Sequence, residues 1–348
     1  MQKPIEIAGV MVKAGSRQSI DIPLPSFYTH SSVNMPVHVV HGRSAGPVML
    51  VSAAVHGDEI NGVEIIRRLL GHKSISRIKG TLIAIPVVNV YGFVSKSRYL
   101  PDRRDLNRSF PGSENGSMAS RLANVLMTQI LPHCNYIIDL HTGAVNRENL
   151  PQIRAKLRGD IELKRLAKAF GVPVILNAEF LEGSFRAAAK SMDIGVLLYE
   201  AGEALRFDEV AIRAGVQGVL QVMAELGMRR KSSKKRRSES MIANRTRWVR
   251  AAQSGILRSL VATGMKVEEG DLLAYINNPL GENTEELISP VSGIVIGKTN
   301  LPLVFAGEAL FNIAGYDEID QVAENIDAYQ DHLDPSTDEM LSEEPPLL

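Results

Sequence analysis

The sequence lacks the features that mark disulfide-rich, membrane or nucleic-acid-binding proteins. Its one cysteine, Cys134, excludes an internal disulfide and a thiolate metal cluster; it follows an amphipathic helical pattern and is expected to be buried and inert. Lys plus Arg and Asp plus Glu number 39 each, so no net charge attracts nucleic acid. No apolar run approaches the length that spans a bilayer, and no secretory signal pattern opens the chain. With 45% hydrophobic and 22% charged residues over 348 positions, we expect a cytoplasmic globular protein without a membrane or nucleic-acid partner.

Residues 49–70 combine a strand pattern, a polar turn and a helix pattern. An apolar run over residues 49–55 predicts a buried strand, and apolar residues then recur at helical spacing from residue 63 to residue 70. His56 and Glu59 lie on the turn between them, at the edge where open α/β sheets bind ligands. An imidazole and a carboxylate three positions apart can share one divalent ion, and nitrogen with oxygen ligands suits Zn²⁺. The alternative is a histidine satisfied by hydrogen bonds on a turn.

A second apolar run, residues 136–140, supplies a third ligand candidate. It leads into His141, which would lie at the carboxyl end of a neighbouring strand and face the same crevice. Three protein ligands leave one position open for water, which is the pattern of a catalytic rather than a structural zinc site. The sequence therefore predicts one Zn²⁺ per subunit, held by His56, Glu59 and His141.

The loop between the two histidine segments, residues 98–112, is rich in Arg, Asn, Pro and Gly and is unpromising as a core strand. Arginine presents a planar fork to a carboxylate, and asparagine can donate to the second oxygen. The composition therefore suits a wall that binds an anionic substrate. The alternative is a solvated loop whose arginines pair with Asp102 and Asp105.

Four motifs follow one another in order: HGDE at residues 56–59, RDLNRSFPG at 104–112, DLHTG at 139–143, and Glu200 after an apolar strand pattern. Together they resemble the succinylglutamate desuccinylase and aspartoacylase family, within the wider zinc carboxypeptidase-like group, over about residues 45–225. The resemblance implies an α/β fold, with a mixed sheet flanked by helices, and metal-dependent hydrolysis of an amide. Strand and helix patterns alternate along the same residues, which agrees with such a fold.

The resemblance also implies roles for the central residues. His56, Glu59 and His141 correspond to the metal ligands. Glu200 is similar to the general base that takes a proton from the metal-bound water and returns it to the leaving amine. Arg98 is similar to the arginine that stabilises the oxyanion.

Further residues in the matched region correspond to substrate contacts. Asn107 and Arg108 are similar to the pair that binds a carboxylate away from the reacting bond. Arg103 or Arg104 could fill the oxyanion role instead, because the spacing from the first arginine of the loop to Asn107 is longer than in aspartoacylase. Arg154 lies in a region that lines the pocket in the family, so it is a further carboxylate-binding candidate; the alternative is an exposed loop arginine.

Composition divides the chain into five segments. We expect a β-rich segment at residues 1–45, a hydrolase domain at 46–228, a basic linker or loop at 229–244, a small β-barrel domain at 245–316, and an acidic tail at 317–348 that is partly helical. The basic run is too highly charged to pack. It is predicted to be a solvated connection or, alternatively, an electrostatic collar that attracts an acidic substrate, a partner or the acidic tail.

The predicted barrel rests on an internal repeat, because the pattern of residues 254–273 recurs in residues 292–310. Two such halves interlock in the small β-barrel that resembles a biotinyl or lipoyl carrier domain. Carrier domains need a lysine in the hairpin between the halves, whereas residues 277–283 contain none. We therefore expect a structural or lid role near the mouth of the active site.

Three function classes are compatible with these observations. The first is a deacylase acting on a small N-acyl amino acid or a similar carboxylate-bearing amide. The second is a carboxypeptidase-like enzyme that trims acidic residues from a peptide or protein tail. The third is a non-catalytic metal-binding regulatory module, which the presence of Glu200 disfavours because such a site needs no base. The expected partner is a small N-acyl amino acid or an acidic peptide, and a homo-oligomer stays open.

Overall fold

The computed structural model describes residues 2–231, 239–281, 283–316 and 318–333 of the protein. The strands are β1 (Ile5–Ile7), β2 (Val10–Val12), β3 (Ser16–Leu24), β4 (Val33–His41), β5 (Ser44–Ala53), β6 (Lys79–Ile85), β7 (Tyr136–Gly143), β8 (Arg147–Ala155), β9 (Val174–Asn177), β10 (Gly195–Glu203), β11 (Met241–Ala243), β12 (Arg245–Arg250), β13 (Gly255–Ser259), β14 (Lys266–Val267), β15 (Leu272–Asn277), β16 (Thr284–Ile288), β17 (Gly293–Thr299), β18 (Leu303–Val304) and β19 (Ala309–Gly315). The helices are α1 (Asn61–Gly71), α2 (Val90–Ser95), α3 (Met118–Gln129), α4 (Ile161–Phe170), α5 (Phe185–Ser191), α6 (Glu209–Glu225) and α7 (Ile319–Leu333). Short 3-10 helices occupy Lys73–Arg77, Leu106–Arg108 and Leu131–His133.

The largest sheet runs in the order β12-β19-β17-β8-β10-β7-β5-β6-β4-β3. At its centre, β6, β5, β7 and β10 are parallel to one another. In contrast, β8 is antiparallel to β10, and β4 is antiparallel to β6. The prediction of an α/β fold with a mixed sheet is therefore confirmed.

Helices cover both faces of the central strands, which explains why those strands are apolar throughout rather than alternating. Met49 and Val51 on β5 belong to a core shared with α1, α4 and α6, whereas Leu50 between them packs into a second core with α3 and α5. The helices start where polar side chains satisfy free backbone amides. Ser117 caps α3, Asp160 caps α4 and Asp208 caps α6. In the described residues, no helix is both long and apolar enough to cross a membrane.

The C-terminal strands are joined to the main sheet. β17 pairs antiparallel with β8, and β19 and β12 continue the sheet outward from there. A second sheet, in the order β16-β15-β13-β18, packs its apolar side chains against this extension. The C-terminal strands therefore lie beside the central strands, connected to them by backbone hydrogen bonds.

Two segments that the sequence assigns to a linker and to a tail contain packed elements. Within predicted linker 229–244, β11 forms a strand parallel to β9. Within predicted tail 317–348, α7 buries Val322, Ile326, Tyr329 and Leu333, because these apolar residues recur at helical spacing. The basic residues 232–238 and the terminal residues 334–348 lie outside the described part of the chain, so the predictions made for them stay predictions.

Cys134 is expected to be unreactive in the native protein. It is buried, its thiol donates to the Ile130 carbonyl, and burial raises its pKa to about 12. The fold therefore favours the neutral thiol, whereas the thiolate is the nucleophile and forms near pH 8.5 in an unfolded chain. Labelling with a thiol reagent at pH 8 should be slow in buffer and fast in denaturing urea. Equal rates in the two conditions would contradict this burial.

Candidate active site

The two predicted histidine segments meet around one buried carboxylate. His56 and Glu59 lie on the turn between β5 and α1, and His141 lies near the end of β7, the strand next to β5. The Glu59 side chain stands between the imidazoles: Oε1 is 2.7 Å from His56 Nδ1 and Oε2 is 2.7 Å from His141 Nδ1. The backbone N–H of Thr142 also donates to Oε2 at 3.1 Å. One potential ligand atom from each of the three residues lies within 4.8 Å of the others, and all three residues are buried.

The turn that carries these ligands depends on Gly57. A Cβ at this position would lie 1.9 Å from the backbone carbonyl carbon of Gly92, in the first turn of α2. That turn is fixed by Asn89, whose side chain accepts a hydrogen bond from the Gly92 N–H at 2.9 Å. Any side chain at position 57 would therefore push the ligand turn away from α2.

The far nitrogen of each imidazole faces a carboxylate. His141 Nε2 is 2.7 Å from Asp139 Oδ2, and Asp139 Oδ1 accepts a hydrogen bond from the Ser52 hydroxyl at 2.7 Å. His56 Nε2 is 3.3 Å from Asp105 Oδ1. Carboxylates in these positions orient metal-binding imidazoles and raise their basicity. Both Nδ1 atoms are thereby left to act as ligands.

Alternating charges control the protonation of this cluster. Burial disfavours the charged form of His141, but Asp139 and Glu59 outweigh it and hold the imidazole pKa well above its ordinary value. For Glu59, burial is again outweighed, here by His56 and His141, and the carboxyl pKa lies well below its usual range. Burial also disfavours the charged form of Asp105, but the positive charges of His56 and Arg98 outweigh this effect and lower the carboxyl pKa of Asp105. Metal binding would therefore have to displace imidazole protons.

The donor set fits a divalent transition metal. Two imidazole nitrogens and a carboxylate oxygen, in a buried site with both imidazoles oriented from behind, suit Zn²⁺ and leave room for a further ligand. His56, Glu59 and His141 could thus hold the metal ion.

Glu200 lies on β10 directly beside His141, because the two residues are paired in the parallel register of β10 and β7. Its carboxylate has two partners from β8: Asn149 Nδ2 donates to Oε1 at 2.9 Å, and Arg154 Nε forms an ion pair with Oε2 at 2.6 Å. The register between β8 and β10 shifts between Glu200, opposite Gln152, and Gly202, opposite Asn149. This bulge brings Asn149 to the same side of the sheet as Arg154.

The arginines of the loop after α2 occupy different environments. Arg98 Nη1 lies 3.3 Å from His56 Nδ1 and 3.4 Å from Glu59 Oε1, and its Nη2 donates to Asp105 Oδ2 at 3.0 Å. Arg103 and Arg104, the alternatives to Arg98, are exposed. Arg98 is therefore the one of the three whose guanidinium lies at the candidate ligands.

Asn107 and Arg108 belong to the 3-10 helix Leu106–Arg108, which lies against the start of α5. The Asn107 side-chain oxygen accepts a hydrogen bond from the Phe185 N–H at 2.8 Å, so this residue fixes the start of α5. Arg108 is exposed, and its Nη1 donates to the Asn107 carbonyl at 2.5 Å. The two predicted carboxylate-binding residues are thus adjacent, with the arginine at the surface.

Sequence reasoning missed several residues of this site. Asp139 precedes His141 by two positions on a strand, and therefore shares its face; this spacing could have revealed it. Asp105 and Asn149 reach the site only through tertiary contacts.

Arg186 on α5 is a further residue that sequence reasoning missed. It is buried and donates to the Glu179 carbonyl at 3.1 Å. Its pKa is lowered by burial and by the nearby positive charge of Arg154.

The family relationship is decided by the catalytic region. Residues 45–226 match the family model of the succinylglutamate desuccinylase/aspartoacylase catalytic domain. The chain belongs to this family. A relative from Halomonas elongata, N-alpha-acetyl-L-2,4-diaminobutyric acid deacetylase, is 32% identical over 147 residues, which cover 41% of this chain and 43% of that protein. The match thus spans less than half of that relative, but it agrees with a deacylase of this family.

Solved structures of desuccinylase/aspartoacylase proteins share the fold. A succinylglutamate desuccinylase/aspartoacylase from Rhodobacter sphaeroides is 26% identical with a TM-score of 0.77, covering 86% of this chain and 95% of that one. The product-bound ectoine utilization protein EutE (DoeB) from Ruegeria pomeroyi has a TM-score of 0.78 at 24% identity, with the same coverage. The likeness extends into the C-terminal strands, because residues 1–226 together are fewer than the 86% of the 348-residue chain that is covered.

Replacing Asp139 with asparagine should weaken metal binding without unfolding the protein. The substitution keeps the shape of the side chain but removes the charge that orients His141, and such changes typically cost about 10- to 100-fold in metal affinity. Zinc affinity is measured by competition with a chelator. Asp193→Asn, at an exposed residue paired with Lys190, is the matched control. Equal affinity in Asp139→Asn and wild type would remove Asp139 from the metal centre.

Proposed function

We propose that the protein is a zinc-dependent deacylase that hydrolyses the amide bond of a small N-acyl amino acid. The observation that carries this proposal is the buried His56–Glu59–His141 group with the Glu200 carboxylate on the adjacent strand. A site that only stored or sensed metal would have no use for a carboxylate base next to the ligands. This argument disfavours the regulatory-module alternative.

Each charged group of the site has a role in this proposal. Zn²⁺ held by His56, Glu59 and His141 would supply a Lewis acid and a water of lowered pKa. Glu200 accepts the proton of the attacking water and delivers it to the leaving amine. The Arg98 guanidinium, beside the ligands, stabilises the negative charge that develops on the former carbonyl oxygen.

The charges around Glu200 favour an anionic substrate. Two guanidinium groups, Arg154 and Arg186, lie near Glu200, and the second carboxylate near Arg186, that of Asp139, is already hydrogen-bonded to His141. In the described residues, the hydrogen bonds of Arg186 go to backbone carbonyls. A substrate carboxylate would therefore complete the charge balance, with Asn107 and Arg108 as further contacts. The Halomonas relative, by its name a deacetylase of an N-acetyl amino acid, is consistent with such a substrate.

The C-terminal strands are proposed to form a carrier-like β-barrel that borders the active-site mouth. Its place beside the catalytic strands is supported by Asn300, which follows β17. The Asn300 side chain donates to Glu148 Oε2 at 3.0 Å and to Glu203 Oε2 at 2.8 Å. These two glutamates lie on β8 and β10, the strands that carry the partners of the base and the base itself. A mouth bordered by these strands would favour a small substrate. The peptide-trimming alternative rests on the basic run, most of which lies outside the described residues.

Metal content and hydrolysis, measured together, test the proposed function. We expect about one zinc per wild-type chain and release of free amine from one class among a panel of N-acyl amino acids and acidic dipeptides. His141→Ala should lose both, because it removes a ligand. Turnover of the dipeptides alone would favour peptide trimming, and a wild-type protein that binds no metal after reconstitution would refute the proposal.

Glu200→Gln should bind zinc normally and lose hydrolysis by about a hundredfold or more, because the amide cannot accept the proton of water. The substitution leaves the His56–Glu59–His141 group untouched. Zinc content and kcat are measured on the same preparation, with Glu6→Gln on the exposed face of β1 as a control. Substantial kcat in a zinc-loaded Glu200→Gln variant would exclude Glu200 as the base.

A further inference from the structure

Asn149 occupies the boundary between the catalytic strands and the C-terminal strands. On one side it is in register with Gly202 of β10, and on the other with Gly297 of β17. Its side-chain nitrogen donates to Glu200 Oε1 at 2.9 Å, and the residue is almost fully buried. The position of this amide therefore contributes directly to the position of the Glu200 carboxylate.

Gly297 is the residue against which the other end of the same amide rests. A Cβ built on Gly297 would lie 2.5 Å from Asn149 Oδ1 and 3.3 Å from the Glu148 carbonyl oxygen. The backbone of Gly297 does not have the positive φ that would require glycine. The need for glycine at this position is thus one of space, set by the approach of Asn149.

The strands cannot slide apart easily to admit a side chain at position 297. Neighbouring residues fix their register: Lys298 pairs with Glu148 and Thr299 with Arg147, and the Asn300 N–H donates to the Asn146 carbonyl at 2.7 Å. The Thr263 hydroxyl, also from the C-terminal part, donates to Glu148 Oε1 at 2.6 Å. By contrast, the Asn149 amide is the end of a rotatable side chain. An added methyl group would therefore displace the amide rather than the backbone.

We propose that Gly297 is a positioning residue for Glu200 and acts through Asn149. The backbone of β17 at Gly297 lies close to the side-chain oxygen of Asn149 and limits where this amide can sit. The amide nitrogen in turn donates to the Glu200 carboxylate and holds it beside the candidate metal ligands. The inference rests on the proposed function, in which Glu200 is the base. It assigns to the C-terminal strands a part in catalysis that goes beyond bordering the mouth.

A double-mutant cycle tests this proposal with Gly297→Ala, Asn149→Ala and the two combined. Kinetics are measured on a substrate that the wild type hydrolyses, together with zinc content and urea unfolding. We expect each single variant to lower kcat by about 10- to 100-fold, because small misplacements of a catalytic group cost this much, with KM and zinc content unchanged. The double variant should be no slower than Asn149→Ala, since the methyl group then has no amide to displace.

The control is Gly195→Ala, at the start of β10 itself. A Cβ there would meet Tyr136 Cδ1 at 3.4 Å, an ordinary contact, so kcat should stay at the wild-type value. A Gly297→Ala variant with wild-type kcat, or losses that multiply in the double variant, would overturn the proposal.

Unfolding data separate the remaining outcomes. If Gly297→Ala is unstable, the proposal requires that stability return in the Asn149→Ala background. Persistent instability would mean that the backbone, not the amide, needs the glycine, and the proposal would fail. If the wild type hydrolyses no substrate of the panel, the proposed function fails, and a role for Gly297 in positioning a base fails with it. The coupling in unfolding free energy then still tells whether the Gly297–Asn149 contact exists.

Discussion

The site depends on one buried carboxylate, Glu59, held between two imidazoles. An ionised carboxylate removed from water is strongly destabilising unless it is paired and hydrogen-bonded. Glu59 is paired twice, with His56 and His141, and each imidazole is balanced in turn by a carboxylate behind it. The result is a row of alternating charges that runs from Asp139 to Asp105. Moving any member would remove one of the partners of a neighbouring charge, so these contacts organise the candidate ligands before any metal binds.

The sheet explains how these groups come together. β5, β7 and β10 are parallel neighbours, so their carboxyl ends lie at one edge and deliver the ligand turn, His141 and Glu200 to the same place. β8 runs in the opposite direction and supplies Asn149 and Arg154 to the base. Because β8 is also the strand to which β17 is hydrogen-bonded, the C-terminal strands share a sheet with the catalytic groups.

Much of the local structure could be predicted from sequence pattern. The strand pattern of residues 49–55 overlaps β5, the helical spacing of residues 63–70 falls within α1, and the apolar run of residues 136–140 falls within β7. These features depend on residues close together in the chain, where periodicity acts directly. The pairing of β11 with β9 was not predictable in this way, since a three-residue strand carries too little pattern.

The sequence by itself determined the chemistry of the site: imidazoles and a carboxylate at the ends of strand patterns, a glutamate after a third strand, and an arginine-rich loop between them. The tertiary structure decided which groups support them. Asp105 reaches His56 because the loop folds back over the ligand turn, and Asn149 reaches Glu200 because of a bulge in the register of β8 and β10. Such contacts join residues far apart in the chain. They follow from the path of a loop and from a bulge between two strands, and the local pattern around these residues reveals neither.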